Sequence, residues 1–137
     1  YSLITAISII LFFIYCYKKG IHKISYFFIL IGMYQILRAI FIILTPFGNP
    51  NGPNLSFLGQ FFTYGLYPSG HTGGAFLFYL LSSGVYKKIF LVFTFIIMIT
   101  LLLGRGHYTI DIFSALIFSY TVYMFGEKYL KRKVLGK

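Results

Sequence analysis

Gly104-Arg105-Gly106-His107-Tyr108-Thr109-Ile110-Asp111 separates two long apolar runs, and its reading decides the fold. The neighbouring sequence is almost entirely Leu, Ile, Phe and Tyr, and Asp111 is one of only two acidic residues in 137. If the segment after the glycines is helical, His107 and Asp111 stand at i and i+4, on one face. A carboxylate within reach of an imidazole orients the ring and fixes its tautomer. Such a pair is expensive in apolar surroundings and needs a reason, either a functional position or a structural lock.

Those surroundings are a membrane. The chain is 58% hydrophobic and only 10% charged, with a mean hydropathy of +0.83, whereas a soluble domain carries about a quarter charged residues. The expectation is an all-α, polytopic transmembrane helix bundle forming one domain over residues 1–137. A net charge of +10 raises nucleic acid as a partner, but the lysines fall in short clusters between apolar runs. No basic face with interleaved polar contacts is formed, so the partner is the bilayer and not nucleic acid. The single cysteine, Cys16, excludes an intrachain disulfide and a Cys-based zinc site, and reads as packing.

Five apolar runs follow one another: 2–17, 24–44, 71–86, 89–103 and 108–125. The last three are short for spans, at roughly 22–27 Å for a rise of ~1.5 Å per residue. Between the second and third, residues 45–54 are rich in Pro, Gly and Asn and break helices. Residues 55–67 are apolar and aromatic but contain Gly59 and Gly65, and read as interfacial or partly re-entrant.

Lysine placement then orients the bundle. Lys18, Lys19 and Lys23 follow the first run, Lys87 and Lys88 the third, and Lys128, Lys131, Arg132, Lys133 and Lys137 the fifth. With alternating spans all of these fall on one side, which predicts a cytoplasmic C-terminus and an outward-facing Tyr1. A further span preceding Tyr1 is expected on the same reasoning. His22, beside the basic loop, reads as a surface residue. The excess of Tyr and Phe reads as lipid-facing bulk and interfacial belt.

The same alternation gathers a site. His71 opens the third run, His107 and Asp111 open the fifth, Arg105 precedes them, and Arg38 lies about two turns inside the second. All sit near the face opposite the lysines. In Tyr67-Pro68-Ser69-Gly70-His71-Thr72-Gly73-Gly74, a Gly-rich turn feeds a helix whose first N–H groups suit phosphate oxygens. Ser69 and Gly70 are the expected phosphate-binding residues there, and His71 can deliver a proton. His107, oriented by Asp111, is the candidate nucleophile or general base, and Arg105 and Arg38 can clamp phosphoryl charge. These parts suffice for in-line phosphoryl transfer through a phosphohistidine. A single intramembrane carboxylate is too few for a two-metal site, and no cofactor is called for.

At these residues the chain resembles the type 2 phosphatidic acid phosphatase superfamily. Pro68-Ser69-Gly70-His71 and His107-x-x-x-Asp111 look like its second and third signature motifs. The spelling Ser69 to Thr72 and His107 to Asp111 is similar to its sphingomyelin synthase-like branch, and Leu37-Arg38-Ala39-Ile40 extends the likeness upstream. The resemblance implies a six-helix membrane fold and a metal-free enzyme of lipid phosphoesters. It also implies His107 as nucleophile, Asp111 as its orienting partner and His71 as general acid. Departures are visible too. The Lys-x6-Arg-Pro motif is missing, and Leu101 stands where an Arg is expected six residues before the catalytic His. Thr63-Tyr64-Gly65 replaces the branch's Cys-Gly-Asp, and Arg105 stands where the branch has a His.

The chemistry expected is cleavage of a lipid phosphoester on the non-cytoplasmic face, of the plasma membrane. Hydrolysis to free phosphate is preferred because water needs no acceptor site. Head-group transfer to a lipid hydroxyl is the alternative. A non-catalytic bis-His haem carrier or proton relay is a third reading, but it gives no reason for Pro68-Ser69-Gly70 or Arg105. The lipid, the acceptor and the oligomeric state are left open.

Overall fold

The computed structural model describes residues 2–20, 22–44, 67–105 and 107–135. Within them the chain is helical, with no strand. Helix α1 spans Ser2–Lys19, α2 His22–Leu44, α3 Gly70–Leu81, α4 Val85–Leu103 and α5 Thr109–Phe125. A π turn, Gly126–Leu130, carries α5 on into a short α6, Lys131–Leu135. The turn-rich and re-entrant readings of 45–66, Thr63-Tyr64-Gly65 within them, and the surface reading of the His22 side chain lie outside the described residues.

Two elements end elsewhere than the apolar runs predict. The third run extends to Tyr86, but α3 stops at Leu81 and Tyr86 belongs to α4. Ser82 turns extended after donating its N–H to the Phe78 carbonyl at 3.1 Å, and Gly84 adopts a φ of 63° that side chains disfavour. The fifth run closes at Phe125, whereas the helical path continues to Leu135.

Among the described residues, four segments are long and apolar enough to cross a membrane: Ser2–Lys19, Lys23–Leu44, Val85–Leu103 and Thr109–Val134. The chain is an integral membrane protein. Helix α3, with 12 residues, is only about 18 Å long. It is nonetheless the hub. Its Phe78 joins an aromatic cluster with Phe12, Tyr15, Phe27 and Phe90. Its Leu77 packs with Tyr26, Leu30, Tyr34 and Val122, and its Ala75 with Ile97, Leu101 and Ile112. Phe12 and Phe78 stack with centroids 4.6 Å apart, locking α1 to α3. Cys16 is buried in the same cluster, as packing requires.

Outward faces carry Ile10, Ile43, Val92, Ile99, Phe113 and Ile117, all exposed. Inward faces hold the polar groups: Ser8, Thr94, Asp111 and Ser119 are buried. Most of these hydroxyls return a hydrogen bond to their own helix, Ser8 to the Ile4 carbonyl and Thr94 to the Phe90 carbonyl, both at 2.8 Å. Apolar outside and polar inside is the arrangement a lipid solvent demands.

Candidate active site

Helix α5 opens where the sequence places it. The Tyr108 N–H donates to Asp111 Oδ2 at 2.8 Å, and the Asp111 N–H donates to the Tyr108 carbonyl at 3.0 Å. This reciprocal capping satisfies two groups that a helix N-terminus leaves unpaired. A carboxylate also suits the positive end of the helix dipole. The same Oδ2 lies 3.3 Å from His107 Nδ1. When Nδ1 carries the proton and donates it to Asp111, Nε2 keeps its lone pair for attack. Asp111 is fully buried, and its Oδ1 has no hydrogen-bond partner among the described residues.

A backbone bond joins the two motifs. The Ser69 N–H donates to the Asp111 carbonyl at 3.1 Å, tying the start of α3 to the start of α5. Ser69 itself is fully buried, and its Oγ caps α3 by accepting from the Thr72 N–H at 3.4 Å. Accepting that bond uses only a lone pair of the hydroxyl, so the phosphate role expected for Ser69 is compatible with it. Gly70 and His71, the next two residues, are half-buried and line a cleft. His71 lies within electrostatic reach of His107 and Arg38, so three of the sequence-predicted groups converge.

Arg38 reaches this turn from α2. Its Nε donates to the Pro68 carbonyl at 2.9 Å. Its guanidinium lies so close to Gly70 that a Cβ there would meet Cζ at 3.3 Å. One turn earlier Tyr34, fully buried, donates its hydroxyl to the Ser69 carbonyl at 2.9 Å. Tyr34 and Arg38 thus grip consecutive carbonyls from one helix face. Sequence reasoning missed Tyr34. The signal was its i, i+4 spacing from Arg38, hidden among 13 tyrosines. Two serines of α5 complete the frame. Ser119 donates to the Gly73 carbonyl at 3.0 Å, and Ser114 to the Tyr67 hydroxyl at 2.8 Å.

Arg105 is exposed on the α4–α5 turn with a φ of 49°, the left-handed region that a Cβ disfavours. Arg105→Gly is therefore expected to be more stable than Arg105→Ala by about 0.5–1 kcal/mol. If Arg105 clamps phosphate, both variants raise KM alike. Unfolding in detergent and lipid-phosphate kinetics on the pair separate backbone strain from charge, and equal stability of the two would refute the strain.

The cleft beside His71 has a volume of about 380 Å³. Its walls are Ile9, Phe13, Phe27, Phe28, Ile31 and Phe78, and Arg38, Gly70 and His71 stand among its polar lining. An apolar groove that reaches a guanidinium and an imidazole accommodates an amphiphile whose head group is an anion.

The fold and site together define an all-α membrane protein with a His–Asp pair, a second histidine and an arginine gathered at one end. Residues 66–128 match the family model described as PAP2 superfamily C-terminal. The match supports the PAP2 superfamily and, with it, a lipid phosphoesterase of the phosphatase or phosphotransferase type. Neither the curated proteins nor the solved structures give a match.

Proposed function

We propose that this protein cleaves a lipid phosphoester through a phosphohistidine at His107. The observation that carries the reading is the apolar cleft meeting Arg38, Gly70 and His71 beside the His107–Asp111 pair. His107 Nε2 attacks phosphorus as the bond to the lipid oxygen breaks, and protonated His71 gives its proton to that oxygen. Asp111 holds the ring and stabilises the charge it acquires. Neutral His71 then takes a proton from water as the water oxygen displaces His107, releasing phosphate and restoring both imidazoles. Arg38, Arg105 and the N–H groups at Gly70 offset the charge on the phosphoryl oxygens. Ser69 contributes by seating that turn.

Hydrolysis is preferred to head-group transfer, because the residues that distinguish the sphingomyelin synthase-like branch are replaced here by Thr63-Tyr64-Gly65 and Arg105. Motif spelling favours the transferase, which stays as the second reading. The site faces away from the cytoplasm, by the clustering of lysines at the other end.

The test is phosphate release in detergent from phosphatidate, a prenyl pyrophosphate and sphingosine phosphate, beside His107→Ala and in the presence of a chelator. Release is expected from at least one substrate, surviving the chelator and vanishing in the variant. Complete loss in chelator would overturn the metal-free mechanism. Absence of release, with head group passing to added diacylglycerol, would establish transfer instead.

A further inference from the structure

The opposite end of the bundle holds a second cavity, of about 250 Å³. It forms where the other ends of the helices meet. Tyr15 of α1 lies 3.2 Å, hydroxyl to hydroxyl, from Ser83 in the α3–α4 turn, and Tyr26 of α2 donates to Glu127 Oε1 at 3.3 Å. Lys23 from the start of α2, Lys87 from the start of α4 and Lys131 from α6 line it, with Glu127 of the π turn.

The charges do not balance. Glu127 is held by Lys131, Nζ to Oε2 at 2.6 Å. Lys23 and Lys87 find no carboxylate among the described residues, and instead lie over the rings of Tyr15 and Tyr79 at 5.9 and 5.1 Å. Three ammonium groups face one carboxylate. A second observation points the same way. Ser82 also lines the cavity and is buried, 5% exposed, yet its Oγ has no hydrogen-bond partner among the described residues. A buried hydroxyl without a partner is costly unless a ligand or water meets it. The π turn adds a local distortion of a kind that clusters at functional sites.

We propose that this cavity is a binding site for a phosphate or phosphoester oxyanion, separate from the candidate active site. Lys23 and Lys87 supply the charge, and Ser82 donates its hydroxyl to an anion oxygen. Two sources carry that chemistry: the head group of an anionic lipid in the leaflet at the lysine-rich end, and free inorganic phosphate. The site stands whether or not His107 is a nucleophile.

The test measures ligand-induced shifts in thermal unfolding of the full chain in detergent, with phosphatidylglycerol, phosphatidylcholine or inorganic phosphate added. Wild type is compared with Lys23→Gln/Lys87→Gln. The expected result is phosphatidylglycerol binding weakened about tenfold or more in the variant, with phosphoester turnover unchanged. Weakening confined to phosphatidylglycerol identifies a lipid head group, and weakening of inorganic phosphate identifies the free anion. Equal binding of both ligands by variant and wild type would overturn the proposal. Ser82→Ala removes a hydroxyl without touching charge, and about fivefold weaker binding is expected. It decides the matter by the same measure should the double variant fail to fold.

Discussion

His107→Ala is expected to lower phosphoester turnover by about 10⁴-fold or more, with the helices intact. The imidazole sits at the N-terminal edge of α5, outside the three apolar clusters, so its removal opens no cavity in them. Asp111 keeps its capping bond from the Tyr108 N–H. Asp111→Asn is the sharper variant. Both the Tyr108 N–H and His107 Nδ1 meet Oδ2, so an amide oxygen there keeps the cap but offers the ring a neutral acceptor in place of a carboxylate. The Nδ1–H tautomer and the positive charge the ring acquires lose the carboxylate that stabilises them, and a loss of about 10³- to 10⁴-fold is expected. Turnover at saturating lipid, read beside circular dichroism, checks both. Near-normal rates in folded Asp111→Asn would remove the orienting role from this residue.

The second large effect is structural. A Cβ at Gly73 would overlap the hydroxyl end of Tyr34. Tyr34 cannot retreat easily, because it is fully buried and its hydroxyl is bonded to the Ser69 carbonyl. Gly73→Ala is therefore expected to destabilise the bundle by about 3 kcal/mol, combining overpacking with a lost buried hydrogen bond. Denaturant unfolding in detergent measures it. Combining Gly73→Ala with Tyr34→Leu separates the two causes. Removing the phenol removes the clash, so the double variant should cost less than the sum of the singles. Strict additivity would mean that the overlap is relieved in some other way.

The residues that were legible in sequence share one property: they are rare types in a monotonous background. A lone carboxylate and two histidines among Leu, Ile and Phe announced the site, and i, i+4 spacing placed His107 on Asp111. The apolar runs similarly yielded α1, α2, α4 and α5 to within a few residues. Tyr34 was illegible for the opposite reason, since nothing in its spelling distinguishes a buried, bonded tyrosine from a lipid-facing one. The end of α3 was obscured because Val85 and Tyr86 prolong an apolar run that Ser82, Ser83 and Gly84 interrupt. The capping role of Ser69 was not read from the sequence. A serine before a Gly-rich helix start can serve a ligand, the helix or both, and the capping bond depends on the backbone path that only the fold gives. The lysines were read correctly as clustered at one end, but their convergence on one cavity depends on tertiary packing.

The bond from the Ser69 N–H to the Asp111 carbonyl is made entirely of backbone. Apart from proline at position 69, no side-chain exchange removes either partner. The spacing between the two histidine-bearing turns is thus heritable independently of the residues that work there. Side-chain exchange in either turn therefore leaves the distance between His71 and His107 set by the main chain.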